Sequence, residues 1–173
     1  MELQNKSRRG ILIMLFRAEF ERKECELKMI YTPMVKVAIL LANDAHRGQY
    51  DKGGVPYITH PLHLADQMQT EDECVVALLH DVMEDTGFTE KDLKQWGFSD
   101  RQIAALTLLR YDESVPYLDY IQKIRMDPIA RAVKIADLNH NSELTRLNNV
   151  TLEDLKRVEK YKEALRILQA SEN

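Results

Sequence analysis

The 173-residue chain is poor in cysteine, proline, glycine and tryptophan, with two, five, six and one of each. Cys25 and Cys74 lie in unrelated segments without CxxC spacing, so neither a disulfide framework nor a cysteine zinc site is expected, and a reducing cytoplasm is the default location. Positive charge is not in excess. The 24 Lys and Arg stand against 28 Asp and Glu, a net of −4, which leaves no broad basic surface to hold nucleic acid or an anionic membrane through phosphate contacts. No stretch approaches the roughly 20 apolar residues of a spanning helix. The apolar run from Ile11 to Phe16 follows Arg8 and Arg9, but charges resume at Arg17, Glu19, Glu21 and Arg22 with no small-residue cleavage site, so it does not read as a signal peptide. Repeats, low-complexity tracts and linkers are also missing. With 45% hydrophobic and 30% charged residues, one domain with its own core is expected.

What is present is helix punctuation. Thr32-Pro33 reads as an N-cap followed by proline at the first helical position, with Val35, Ala38, Ala42 and Ala45 recurring at helical spacing up to Gly48. A glycine-rich loop, Asp51 to Pro56, follows. Thr70-x-x-Glu73 is a capping box before Val75, Val76, Leu78, Leu79 and Val82, a helix apolar on most sides that Thr86-Gly87 ends. Shorter helices are predicted over about 89–95, 99–110 and 116–126. Asp127-Pro128 opens one running to about Leu147, and Thr151-x-x-Asp154 opens another with Leu152, Leu155, Val158, Leu165 and Leu168 on one stripe. The sum is an all-α, single-domain helical bundle. Residues 1–28 carry an amphipathic pattern through Ile11, Leu12, Leu15, Phe16 and Phe20 and read either as an added N-terminal helix or as chain upstream of a start at Met29.

Of the five histidines, only His63 lies outside a short polar cluster. His80-Asp81 interrupts the most apolar helix, where two ionisable groups cost several kcal/mol unless paired or bound to a metal. Imidazole with carboxylate suits Mn, Fe, Co or Zn better than Ca or Mg, and two His with two Asp leave positions open for water and substrate on a six-coordinate ion. Glu84 and Asp85 follow one turn later. In the last turn of a helix they oppose its dipole, which argues for a nearby cation or a proton-transfer role. Asp137 and Asn141 repeat the four-residue spacing. Taken singly, each has a plainer reading: a satisfied core histidine, a solvated helix end, a surface amide, or a loop charge at Lys52.

Together, His60, the His80-Asp81 doublet and the distant Asp137 resemble the pattern of HD-domain metal-dependent phosphohydrolases. More narrowly, Ala45-His46-Arg47-Gly48-Gln49, Pro56-Tyr57-Ile58-Thr59-His60-Pro61, the run Ala77 to Thr86, and Lys134-Ile135-Ala136-Asp137 resemble the hydrolase domain of RelA/SpoT homologues, which degrades the alarmone ppGpp. The resemblance spans about residues 33–165 and assigns 29–173 to the hydrolase domain. It implies an all-α HD fold with His60, His80, Asp81 and Asp137 as ligands of one Mn2+, or another divalent transition metal, and Glu84 and Asp85 orienting and deprotonating the attacking water. It further implies that Lys52, Asn141, Arg157 and Tyr161 face the nucleotide, with His46 in a supporting role. A plainer reading of Arg157 and Tyr161 is a surface cation–π pair.

Two positions depart from the family pattern. Asp51 stands where an Arg usually packs on the guanine, and Leu138 where an Arg commonly follows the metal-binding Asp. They leave open a second substrate reading, another nucleotide or phosphate ester; a separate third reading is a non-catalytic sensor that binds the nucleotide and passes the signal to a partner. Nothing in the sequence resembles a synthetase domain. The expected partner is a small nucleotide, with neither nucleic acid nor membrane, and the oligomeric state is open.

Overall fold

The structure, a computed structural model, describes residues 29–170. The expected N-terminal helix over 1–28 lies outside the described residues. The first described helix, α1 (Pro33–Ala45), starts where Thr32 Oγ1 accepts the Val35 amide at 3.2 Å. After it come α2 (Thr59–Ala65), α3 (Glu71–Leu79), α4 (Val82–Asp85), α5 (Glu90–Gln95), α6 (Asp100–Leu109), α7 (Tyr117–Arg125), α8 (Pro128–Asn141), a 3-10 turn over Leu144–Arg146, and α9 (Leu152–Gln169). Among the described residues, extended pairing is limited to one isolated bridge between Tyr50 and Pro56.

Four reciprocal capping boxes, at Thr70/Glu73, Thr89/Asp92, Ser99/Gln102 and Thr151/Asp154, fix the starts of α3, α5, α6 and α9. The core forms around α3, whose residues from Cys74 to Leu79 are all buried. Helices α1, α2, α6 and α8 pack against it. Each of these leucines and valines contributes about 1.5–3 kcal/mol of burial, enough to hold a polar cluster at the end of α3. No helix among the described residues is long and apolar enough to cross a membrane.

Four expectations change. The helix predicted to run through to Thr86 is broken at His80-Asp81, because His80 Nδ1 donates to the Ala77 carbonyl at 2.9 Å, the group that would accept the Asp81 amide in a continuous helix. Glu84 and Asp85 therefore sit on the separate turn α4, with their amides on the Asp81 carbonyl at 3.1 and 2.8 Å, and do not oppose the dipole of α3. Helix α8 stops at Asn141 rather than Leu147: Ser142 Oγ donates to the Leu138 carbonyl at 2.6 Å and the chain turns away. Helix α2, seven residues with Pro61 in its first turn, has no side-chain cap to mark it in the sequence. Finally, Leu152 and Leu155 are 76% and 47% exposed. The inward face at that end of α9 instead carries buried Asp154, with Val158, Ala164 and Leu168 continuing it.

Candidate metal centre

Helices α2, the end of α3 and α8 deliver His60, His80 and Asp137 to one point. All three are buried, and one ligand atom from each lies within 4.8 Å of the others. His60 Nε2 is 3.3 Å from His80 Nε2 and 3.4 Å from Asp137 Oδ1. The helix break turns Asp81 into the same space, its Oδ2 2.9 Å from His80 Nε2 and 3.9 Å from His60 Nε2. The four residues implied by the HD pattern are thus brought together.

The surrounding hydrogen bonds hold each inward side chain and leave each inward carboxylate oxygen a further lone pair. His80 Nδ1 must donate to a carbonyl, which places the lone pair of a neutral ring on Nε2. Asp137 Oδ2 accepts from half-buried Lys134 Nζ at 2.8 Å and Oδ1 from Asn141 Nδ2 at 2.6 Å. Tyr57 Oη donates to Asp81 Oδ2. Two imidazole nitrogens and two carboxylates converging in a buried space fit a divalent cation of the transition series.

Charge balance points the same way. Burial alone would push the His80 imidazolium down, but Asp81 and Asp137 overcome it and raise its pKa to about 9. Burial pushes the Asp81 carboxyl up, and His80 more than reverses this, bringing it to about 2. Asp137 is held well below the usual carboxylate range: its burial is outweighed chiefly by Lys134, then by His60 and His80. Two carboxylates this close to two imidazoles favour positive charge at the point where they meet.

The remaining predicted residues surround this point in two cavities. One, of about 290 Å³, is lined by Lys52, Arg146, Arg157, Asn141 and Tyr161 among others; the second, of about 300 Å³, by Asp81, Glu84, Asp85, Lys134, Tyr117 and Lys160 among others. Tyr57, Asn141 and Tyr161 line both. Lys52 Nζ and Arg157 Nη1 each approach Asp154 Oδ1, at 3.5 and 2.9 Å, so part of their charge is already matched. Arg157 thus pairs with Asp154, while Lys160 lies 5.7 Å over the Tyr161 ring. Glu84 Oε2 accepts the Tyr111 amide at 3.3 Å. Burial, and then Asp81, raise the Asp85 carboxyl above its ordinary value. His46 lies outside the cluster, its ring 4.8 Å from that of Tyr57, with Nδ1 on Gln49 Oε1 and Nε2 buried without a partner. Leu138 is buried in the core, and Asp51 binds the Gly53 and Val55 amides, both at 2.9 Å.

The sequence reading missed Lys134, Tyr57, His140 and Arg146 as contributors. Lys134 and Tyr57 stand inside the motifs at 134–137 and 56–61, so i,i+3 spacing from Asp137 was an available signal for the lysine. His140 shares that spacing on the other side of Asp137, whereas Arg146 carries no such signal, since a 3-10 turn brings it back.

The class this fold and site define is an HD-type helical domain with a buried His/Asp cluster that could hold a metal ion. No family model matches the chain. It is 50% identical to the guanosine-3′,5′-bis(diphosphate) 3′-pyrophosphohydrolase of Haemophilus influenzae over 32% of this chain and 9% of that protein. It is 35% identical to the bifunctional (p)ppGpp synthase/hydrolase SpoT of Escherichia coli K12 over 62% of this chain and 17% of that protein. The chain therefore spans less than a fifth of the length of these curated relatives. A solved structure of a metazoan ortholog of SpoT, described as hydrolysing ppGpp, shares the fold with a TM-score of 0.67 at 20% identity, over 82% of this chain and 89% of that one. Likeness in sequence to these relatives and in fold to the SpoT ortholog supports an HD domain of the RelA/SpoT hydrolase type.

Proposed function

We propose that the chain is a divalent-metal-dependent phosphohydrolase that releases pyrophosphate from the 3′ position of guanosine 3′,5′-bis(diphosphate). The observation carrying this reading is the convergence of His60, His80, Asp81 and Asp137 beside a cavity lined by Lys52, Arg146 and Arg157. The names of the relatives point to the substrate. Others are named GTP pyrophosphokinase.

In this reading the four residues hold one Mn2+. When bound, the metal supplies Lewis-acid stabilisation of phosphate charge and lowers the pKa of water. Lys134 and Asn141 fix both oxygens of Asp137, and Tyr57, packed on His46, fixes Asp81. Asp85, whose carboxyl is raised, takes the proton of the attacking water. Glu84, oriented by the Tyr111 amide, positions that water. Lys52, Arg157, Asn141 and Tyr161 bind the nucleotide, the two cations answering the polyphosphate in a protein of net charge −4. The location in this reading is cytoplasmic, and residues 29–173 form the hydrolase domain.

The test is a nucleotide panel with Mn2+, assayed for turnover and for binding. Turnover of ppGpp, lost with metal in His80→Ala and lost with metal retained in Glu84→Ala, is expected. Cleavage of another nucleotide with ppGpp inert would move the substrate, as Asp51 allows; tight binding without turnover under any metal would replace the enzyme with a sensor.

A further inference from the structure

Beside the metal centre a chain of hydrogen bonds runs from the loop at Asp51 to His60. Asp51 Oδ2 accepts from Arg146 Nη2 at 2.6 Å. Arg146 Nη1 reaches both His140 Nδ1, at 2.9 Å, and the His140 carbonyl, at 3.0 Å. His140 Nδ1 in turn lies 2.7 Å from His60 Nδ1, with the ring centroids 4.8 Å apart and the planes 22° from parallel, and the His63 ring lies 4.3 Å from that of His140.

The direction of each bond follows from the chemistry of its first member. A guanidinium only donates, so His140 Nδ1 must accept. A nitrogen that accepts from Arg146 cannot also donate to His60, so the proton of the 2.7 Å contact belongs to His60 Nδ1. In a neutral ring that leaves the lone pair on His60 Nε2, the atom facing His80 and Asp137. His80 reaches the same state through the Ala77 carbonyl. One histidine is set by the backbone, the other by side chains reaching back to the loop at Asp51.

We propose that Arg146, held by Asp51, is a positioning residue that fixes the tautomer and orientation of the His60 ring through His140 and so raises the affinity of the metal site. This rests on His60 being a metal ligand. It also gives Asp51 a task where the family pattern has an arginine: its other oxygen ties the loop through the Gly53 and Val55 amides. The contact is close. A Cβ on Gly53 would stand 2.5 Å from the Arg146 carbonyl oxygen, so glycine is required there for the loop and the 3-10 turn to meet.

The test is Mn2+ affinity by calorimetry on nucleotide-free protein, with long-range 1H–15N spectra of histidine-labelled, metal-free protein reporting which ring nitrogen carries each proton. Loss of such outer partners lowers metal affinity by about 10–100-fold. Arg146→Met is expected to fall in that range and to lose the single Nδ1-protonated state of His60, while Arg146→Lys restores part of both. Gly53→Ala displaces the loop without removing a charge and is expected to shift both readouts the same way, which keeps the test available if Arg146→Met does not fold. Unchanged affinity, or lowered affinity with an unchanged His60 tautomer, would overturn the proposal. Absence of Mn2+ binding by the wild-type protein would instead overturn the metal reading itself.

Discussion

Lys134 offers a perturbation whose size follows from the structure. Its Nζ lies 2.8 Å from Asp137 Oδ2, with side-chain exposures of 17% and 7%, and Asp137 and Asp81 share the same buried space. Lys134→Met keeps the aliphatic packing but leaves a buried carboxylate without its amine. Breaking such a pair from one side costs about 3–5 kcal/mol. Taking the lower figure and a slope of about 2–4 °C per kcal/mol for a chain of this size, the melting temperature of metal-free protein falls by about 6–12 °C. Saturating Mn2+ supplies the missing positive charge, so the gap between variant and wild type narrows when both are loaded. The assay is calorimetric melting with EDTA and with excess Mn2+. A metal-free variant melting within about 2 °C of wild type, below the slope for a single kcal/mol, would refute the reasoning, as would a gap that metal leaves unchanged.

Other outcomes follow from the same geometry. Asp85 has a carboxyl raised above 3.8 and must be ionised to accept a proton, so kcat/KM falls on acidification through a pKa above that of an ordinary aspartate. Because its folded pKa exceeds the unfolded one, ionised Asp85 costs stability above that range; Asp85→Asn removes turnover and raises Tm at pH 7, both read on one preparation. Thr151→Ala deletes a hydroxyl that caps α9 and donates to Asp154 Oδ2 at 2.8 Å. It costs about 1 kcal/mol, and raises KM by loosening Lys52 and Arg157, both of which rest on Asp154.

The fold was legible where local chemistry decides it. Thr32-Pro33, the capping boxes and Asp127-Pro128 each mark a start that the backbone adopts, because a side chain within three residues satisfies the free amides. Ends depended on less local facts. The break at His80-Asp81 comes from a ring competing for a helix carbonyl, and the stop at Asn141 from Ser142; neither has a periodic signature. The apolar stripe on α9 failed at Leu152 and Leu155 because buried Asp154 takes the inward position. Of the candidate site, the motifs supplied the residues now clustered at His60, His80, Asp81 and Asp137, but not their support. Lys134 and Tyr57 lay within quoted motifs without a role, and the reach from Asp51 to Arg146 crosses 95 positions, beyond any spacing argument.

The central claim is that one metal held by these four residues drives release of pyrophosphate. Its most direct test is pyrophosphate release from ppGpp by the purified protein with added Mn2+, beside Asp81→Ala and an EDTA-treated control. The account predicts pyrophosphate that requires both Mn2+ and Asp81. Release that persists in EDTA or in Asp81→Ala, or no release from folded protein shown to carry Mn2+, would contradict it.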